Sequence, residues 1–280
     1  MASAEEIAGE LRARIRSGDL QPGDRLPTMA ELGTSYEVNR QTARQALIAL
    51  KDEGLVEYRG GRAGTFVRLR PTQRLVRARS MERDELGYYS GPDVQHWRAL
   101  TQTEVDHTAR VPEDIAALLG VEPGSPAVVR RRLNGDPEIR EYRQLTDSWL
   151  HPAAVAAVPA IAGDSGLGGI YDRIEEWAGA PLVWEEEATS ATPSPAEAEA
   201  LLLPTGVPLL RLLRCSIVTE PPTGGGPLVV EVNDIRMSGE QFSVRYPLER
   251  GPSARWPVTP ATGNFYTPVT PADPGPPGDL

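Results

Sequence analysis

The segment 24–68 carries helix start and stop signals at close intervals, and no other feature constrains the fold as strongly. Thr28 followed by Glu31 forms a capping box, which predicts that a helix starts there. Asn39 is a second N-cap residue, and Gly54 predicts the end of the helix that Asn39 opens. The pattern therefore predicts two short helices joined by a tight turn, an arrangement whose second helix can enter the major groove of DNA.

The residues around this helix-turn-helix complete a small domain. An amphipathic helix is predicted over 4–16, before the motif. Strands are predicted at 55–58 and 65–68 around a Gly- and Arg-rich tip, which is typical of a wing whose backbone approaches DNA closely. The apolar face of the second helix of the motif is formed by Ala43, Ala46, Leu47 and Leu50. We therefore expect a winged helix-turn-helix DNA-binding domain over residues 1–70.

The charge of the chain is divided unevenly. The formal net charge is −10, but residues 1–80 hold 14 Lys and Arg against 10 Asp and Glu, which leaves 15 basic and 29 acidic residues in the rest. Such asymmetry favours nucleic-acid binding by the basic part. Seven arginines follow the second helix, and we expect phosphate contacts from them rather than a merely solvated linker: Arg59, Arg62, Arg68, Arg70, Arg74, Arg77 and Arg79.

The remainder predicts a second domain. Residues 71–94 show no clear period and are interpreted as a linker, and residues 251–280 are rich in Pro, Gly and Thr, which is typical of a disordered tail. Between them, over 95–250, short helices alternate with hairpin-like strands, which predicts an α+β domain on an antiparallel sheet. Strands are predicted at 97–109, 127–133, 144–150, 182–191, 209–218, 228–237 and 242–246, and helices at 112–119, 168–177 and 195–203.

Several classes of protein and site are excluded by composition. No apolar stretch is long enough to span a bilayer, and the N-terminus is a charged helix rather than a signal peptide. Cys215 is the only cysteine, and the three histidines show no ligand spacing. We therefore expect a cytoplasmic protein with no metal, no cofactor and no catalytic residues.

The N-terminal motifs resemble those of the GntR family of bacterial transcription regulators. The order of the matching pieces is that of the family: Pro22-Gly23-Asp24-Arg25-Leu26-Pro27, Glu31-Leu32, Val38-Asn39-Arg40-x-Thr42-x-Arg44-x-Ala46-Leu47, Glu53-Gly54-Leu55 and Gly64-Thr65-Phe66-Val67. Residues 95–250 resemble the UTRA effector-binding domain of the HutC subgroup, which has a chorismate-lyase-like fold. The matching pieces there include Leu118-Leu119-Gly120-Val121, Val129-x-Arg131-Arg132-Leu133, Asp147-Ser148-Trp149, Gly169-Ile170-Tyr171 and Val230-Glu231-Val232-Asn233-Asp234.

The resemblance implies a homodimeric regulator, usually a repressor, whose affinity for DNA is set by a small metabolite. A dimer with two reading heads requires a roughly palindromic operator in double-stranded DNA. The effector implied by the resemblance is a small anionic molecule such as a sugar phosphate.

The candidate DNA-binding residues cluster at the start of the second helix and in the wing. Arg40 and Arg44 lie four residues apart and share one helix face, and arginine is the usual bidentate reader of guanine. An alternative is that one of these arginines pairs with Glu37 or another acid and contacts no base. The complete set is Thr28, Arg40, Gln41, Thr42, Arg44, Gly61 and Arg62. The chain departs from the family at Ala30, where an arginine is common, and at Glu37, where a glycine is usual.

The candidate effector-binding residues are centred on two arginines. Arg130 and Arg132 are two apart on a predicted strand, so they project from one face, and paired guanidinium groups suit a phosphate or carboxylate. A solvated strand face paired with acids is the alternative. The resemblance adds Asp147, Ser148, Tyr171 and Glu231. Thr146 and Met237 replace a glutamate and a tyrosine of sugar-phosphate binders, so the identity of the effector stays open.

Two other functions are compatible with the sequence. The second domain could serve only for dimerisation of a DNA-binding protein, without an effector. Alternatively, it could be an enzyme, because the chorismate-lyase-like fold has catalytic members, although no nucleophile–base pair or cofactor motif stands out and fold alone is weak support for chemistry. We expect a regulator rather than an enzyme.

Overall fold

The computed structural model describes residues 2–59, 64–69, 71, 73–85, 87–163, 169–251 and 254. Residues 1–245 form one compact unit, and residues 246–280 form a second. The disorder predicted for 251–280 falls almost entirely outside the described residues. No helix among the described residues is both long and apolar enough to cross a membrane.

The N-terminal part, called the head (residues 2–69), has the predicted winged helix-turn-helix fold. Ser3, Thr28 and Asn39 cap the three helices, and the capping box between Thr28 and Glu31 is present. The two wing strands pair antiparallel. The elements are α1 (Ala4–Ser17), α2 (Met29–Ser35), α3 (Arg40–Asp52), β1 (Val56–Tyr58) and β2 (Thr65–Val67).

The apolar stripes of the three helices form the core of the head. Ile7 and Leu11 of α1, Leu32 of α2 and Leu50 of α3 are almost completely buried against one another. Burying each such side chain contributes roughly 1.5–3 kcal/mol to the stability of the fold. This packing fixes the orientation of α3 within the head. The N-terminal turn of α3 is left exposed.

The C-terminal part has the predicted α+β fold. Its elements are β3 (Leu75–Arg77), β4 (Glu82–Arg83), β5 (Tyr89–Ser90), β6 (Arg98–Ala99), β7 (Glu104–Arg110), α4 (Glu113–Leu119), β8 (Pro126–Gly135), β9 (Arg143–Leu150), α5 (Pro152–Ala157), α6 (Gly169–Ala178), β10 (Val183–Ala191), α7 (Pro195–Ala200), β11 (Leu209–Val218), β12 (Leu228–Ser238) and β13 (Phe242–Val244). An antiparallel sheet runs in the order β10-β11-β12-β9-β8-β6, with β7 also on β8.

The two faces of this sheet carry different cores. On one face α4 packs through Ile115 and Leu119 onto Val129 and Trp149. On the other face α6 packs through Ile174 onto Leu150 and its neighbours. Because side chains alternate along each strand, a residue's parity decides which face it joins.

The structure differs from the sequence prediction in several places, among them the helix α5, which was not predicted. The strand expected over 97–109 is divided into β6 and β7, and both pair with β8. Residues 71–94 contain three short strands, which are too short to show a period in the sequence. One of them, β3, pairs parallel with β13, which lies about 165 residues further along the chain. Local pattern cannot reveal such a distant pairing.

The turn between α2 and α3 contains a backbone conformation that suits glycine. Glu37 has φ of +51°, which for a residue with a Cβ costs on the order of 1 kcal/mol. We expect Glu37→Gly to raise the free energy of unfolding by about 1 kcal/mol, measured by urea denaturation. Glu37→Ala removes the same side chain but keeps the Cβ, so it is the control and should bring no comparable gain. Equal stabilisation by both variants would contradict a backbone origin.

Candidate DNA-binding surface and effector cavity

The N-terminal turn of α3 presents exposed polar side chains. Arg40, Gln41 and Arg44 are exposed, and within the described part of the chain neither arginine forms an ion pair. The alternative pairing with Glu37 is therefore absent. Thr42 donates its hydroxyl hydrogen bond to Asn39 Oδ1 at 3.2 Å, so this side chain also supports the cap. The helix start and the two guanidinium groups together give a positive surface that suits DNA phosphates.

Thr28 lies close to this surface. Its Oγ1 accepts a hydrogen bond from the Glu31 amide at 3.2 Å, and Thr28, Ala30 and Arg40 line one shallow groove between α2 and α3. Gly61 and Arg62, the predicted wing-tip contacts, lie outside the described residues. At the wing base, the Arg59 guanidinium stacks on the Phe66 ring at 4.5 Å.

Two of the arginines expected to contact phosphates do not lie on this surface. Arg68 and Arg77 are about 5 % and 4 % exposed, so the expectation is wrong for both. Arg68 pairs with Glu240, and Arg77 Nε lies 3.0 Å from Asp93 Oδ2. Burial lowers the pKa of Arg77, and the neighbouring Asp93 carboxylate opposes that shift. A run of arginines in the sequence carries no information about which of them are buried.

A cavity of about 620 Å³ opens on the sheet face away from α4. Strand register explains which residues reach it, because residues paired across antiparallel strands share a face. One row across β8, β9, β12 and β11 is formed by Arg130, Ser148, Asn233 and Arg214. The adjacent row places Glu231 beside Ser216. Charged and polar groups from four strands thus converge on one cavity wall.

The predicted arginine pair lies in this cavity. Arg132 Nη2 donates to Ser148 Oγ at 2.6 Å, and Arg130 Nη1 donates to the Ile161 carbonyl at 3.3 Å. Within the described residues Arg132 forms no ion pair, and its buried Nε has no hydrogen-bond acceptor. A buried donor of this kind is costly unless a partner arrives.

Glu231 brings a negative charge to the same cavity, and Tyr171 donates a hydrogen bond to it. Glu231 is 1 % exposed, and its Oε2 accepts hydrogen bonds from Tyr171 at 2.7 Å and from Ser216 at 3.0 Å. Its second oxygen, Oε1, is buried without a donor. Burial and the nearby Glu231 carboxylate raise the pKa of Tyr171, so its hydroxyl stays protonated and donates. Arg132 Nε and Glu231 Oε1 are thus a buried donor and a buried acceptor on cavity-lining residues that have no hydrogen-bond partner.

Asp147 does not belong to this site, which corrects the prediction. It pairs with Arg131 in the register and shares that residue's face, and its Oδ2 lies 2.6 Å from Arg236 Nη2. Desolvation raises the pKa of Asp147, although Arg236 opposes the shift. Parity on the strand should have indicated this, because Asp147 and Ser148 are neighbours and point to opposite faces. Ser148 reaches the cavity through its bond to Arg132.

Residues that the sequence prediction missed close the cavity. The segment 71–94 lines one side with Arg77, Tyr88 and Tyr89. Tyr89 contacts the Tyr171 ring edge-on at 5.7 Å. Arg214 of β11 also lines the cavity, and its Nε and Nη2 both donate hydrogen bonds to Glu186 Oε2. Among the described residues no group of three His, Cys, Asp or Glu side chains is arranged to hold a metal ion.

Comparison with known proteins identifies the head. Residues 3–67 match the sequence profile described as bacterial regulatory proteins, gntR family. The head is therefore a GntR-family helix-turn-helix domain. The chain is 28 % identical over 223 residues to an uncharacterised HTH-type transcriptional regulator of Streptomyces coelicolor, covering 75 % of this chain and 81 % of the relative.

Other matches extend through the C-terminal part. The HTH-type transcriptional repressor NagR of Bacillus subtilis is 28 % identical over 222 residues, covering 75 % of this chain and 82 % of the repressor. A crystal structure of a GntR-family transcriptional regulator matches with a TM-score of 0.57 and 27 % identity, covering 90 % of this chain and 99 % of that one. These relatives are regulators, which supports the prediction that the chain is not an enzyme.

The hydrogen bond between Tyr171 and Glu231 should stabilise the fold measurably. We expect Tyr171→Phe to lower the free energy of unfolding by about 1–3 kcal/mol, because it takes a donor from a buried carboxylate. Tyr89→Phe is the matched control: its hydroxyl contacts Glu175 at 3.1 Å in a partly exposed position, so we expect a loss below about 1 kcal/mol. Equal losses in denaturant titrations would contradict the special role of the buried bond.

Proposed function

We propose that this GntR-family regulator belongs to the HutC subgroup, acts as a homodimer on a roughly palindromic operator, and changes its DNA affinity when a small anionic metabolite occupies the cavity. The observation that carries the proposal is the combination of a family-matched head with a separate cavity that contains buried polar atoms without partners. NagR, a repressor by name, is similar over both parts. Its regulatory sign is the one we propose here.

The DNA-binding role of α3 is supported by its exposure. Arg40 and Arg44 lie on one face of the first turns of α3, and neither forms an ion pair with a carboxylate among the described residues. Guanidinium groups in this position can bind guanine bidentately or contact phosphates. The exposed neighbour Gln41 adds a group that can read adenine. A second head, related by the dimer axis, would double these contacts.

Arg44→Ala should weaken binding to operator DNA roughly 10-fold, since a good base contact is worth about 1–3 kcal/mol. The measurement is titration of a DNA fragment from upstream of the protein's own gene at two salt concentrations. Arg16→Ala removes the same charge from an exposed position on α1 and is the control. Equal weakening by both variants would show a general charge effect and contradict specific reading by α3.

The chemistry of the effector follows from Arg132 Nε and Glu231 Oε1, a buried donor and a buried acceptor on residues that line the cavity. Arg132 Nε calls for an acceptor, which an anionic group supplies, and Glu231 Oε1 calls for a donor such as a hydroxyl or amino group. A phosphorylated or carboxylated polyol or amino sugar has both. Thr146, in place of glutamate, lines this cavity, and Met237, in place of tyrosine, is buried behind it against Arg77. The identity of the sugar therefore has to be found by screening.

Arg132→Ala should abolish the effect of the metabolite on DNA affinity while sparing DNA binding itself. The effector would first be found by screening sugar phosphates, sugar acids and inorganic phosphate for release of the upstream DNA fragment. The control is Arg131→Ala, because Arg131 is the next residue, faces the other side of the sheet and pairs with Glu104. A response that survives in the Arg132 variant would contradict the assignment of the cavity.

The alternative of a C-terminal part that only dimerises makes a different prediction. In that case no small molecule would alter DNA affinity, and Arg132→Ala would be silent in every binding assay. The buried groups without partners favour the effector-binding function, because a surface kept only for dimerisation gains nothing from them.

A further inference from the structure

One buried ion pair links the head to the C-terminal sheet. Arg68 follows β2, and Glu240 follows β12. The Arg68 side chain is 4 % exposed, and its Nη1 and Nη2 lie 2.5 Å and 2.7 Å from the two carboxylate oxygens of Glu240. Arg68 Nε also donates to the Gly54 carbonyl at 2.6 Å. A single guanidinium group therefore holds the C-terminal end of α3 and the end of β12 together.

A direct backbone contact accompanies the ion pair. Gly54 and Gly206 approach so closely that a Cβ on Gly206 would lie 2.8 Å from the Gly54 nitrogen, and one on Gly54 would lie 2.7 Å from the Thr205 carbonyl oxygen. Both glycines have left-handed φ values, +66° and +78°. The contact lies directly after α3, the helix whose start carries Arg40 and Arg44. We call the ion pair and this contact the junction.

Two strands lead from the cavity to the junction. From Glu231 in the cavity, strand β12 runs to Ser238, a distance of roughly 23 Å. Glu240 of the junction lies two residues beyond Ser238. Arg77 of the cavity ends β3, which begins beside the junction: the Leu75 amide donates to the Gln241 carbonyl, and Arg74 Nε donates to the Glu240 carbonyl at 3.1 Å. The β3 side and the β12 side of the cavity are therefore both connected to Glu240 through extended backbone.

We propose that the junction is an interdomain latch and that Glu240 is a positioning residue for DNA binding. It touches no DNA itself; it fixes the direction in which α3 points from the C-terminal sheet. Resting on the proposed function, the latch is also where occupancy of the cavity alters the head, because β12 leads into Glu240 and Arg74, next to β3, donates to the Glu240 carbonyl. Two heads held in this way would fit only one half-site spacing.

The first test needs neither DNA nor effector. Scanning calorimetry of the full chain should show one coupled transition for the wild type. In the Gly206→Ala variant the new Cβ clashes with the backbone of Gly54 and forces the junction to separate. In the Glu240→Gln variant, Arg68 no longer has a charged partner. In both variants we expect a separate head transition, lowered by about 5–10 °C.

Each variant has a matched control. Gly224→Ala places a Cβ on a glycine with a similar φ of +73° but with nothing within 4 Å, so it carries the backbone cost without the clash. Glu197→Gln removes a carboxylate with the same 19 % side-chain exposure as Glu240, paired with Arg236 inside the C-terminal part. Both controls should unfold in one transition. Separate transitions in the wild type, or no difference between variants and controls, would overturn the latch.

The second test separates positioning from simple stabilisation. Binding is measured to the operator and to copies with two base pairs inserted between the half-sites. The wild type should lose about 10-fold or more on insertion, while both latch variants should lose less than about 3-fold, because loosely held heads tolerate altered spacing. An unchanged spacing profile in the variants would overturn the positioning role even if calorimetry supports the contact. Failure to find any operator would count against the proposed function, while calorimetry still decides the latch.

Discussion

The register of β12 between β11 and β9 is the constraint on which the C-terminal part depends. This strand is hydrogen-bonded on both sides over most of its length, so a slip of one residue would move Glu231 and Asn233 out of the cavity and bring Val232 and Asp234 into it. Apolar residues on both faces of the strand prevent that slip, because Val232 packs under α4 and Ile235, on the cavity face, packs in a separate core. Packing thus holds the polar site in place.

Four charged side chains among the described residues fall into two groups with different physical roles. Arg68 and Arg214 each meet a carboxylate, so their desolvation is offset by an ion pair and their positions are fixed. Arg132 and Glu231 each keep an unsatisfied buried atom that faces the cavity. In a native interior such atoms are rare, and they mark a place where a further partner is expected. The first group therefore organises the molecule and the second gives it binding capacity.

Much of the head was predictable because its signals are local. Capping residues lie three positions from the amides they bind, and the apolar stripe of α3 repeats within one helix, so Thr28, Asn39 and the core residue Leu50 could be assigned from sequence. The strands β8 to β12 were predicted for the same reason. Asp147 was assigned wrongly because the resemblance was followed in place of strand parity, which points it away from Ser148.

The sequence by itself determined the helix-turn-helix, the order of the long strands β8 to β12, and the residue types at the start of α3, since these depend on propensity and short-range periodicity. Only the tertiary structure decided that the segment 71–94 closes the cavity, that Arg68 and Arg77 are buried rather than bound to phosphate, and that Glu240 meets the head. Arg68 and Glu240 are 172 positions apart. Such contacts arise from the way the sheet brings distant segments together, and no local pattern encodes them.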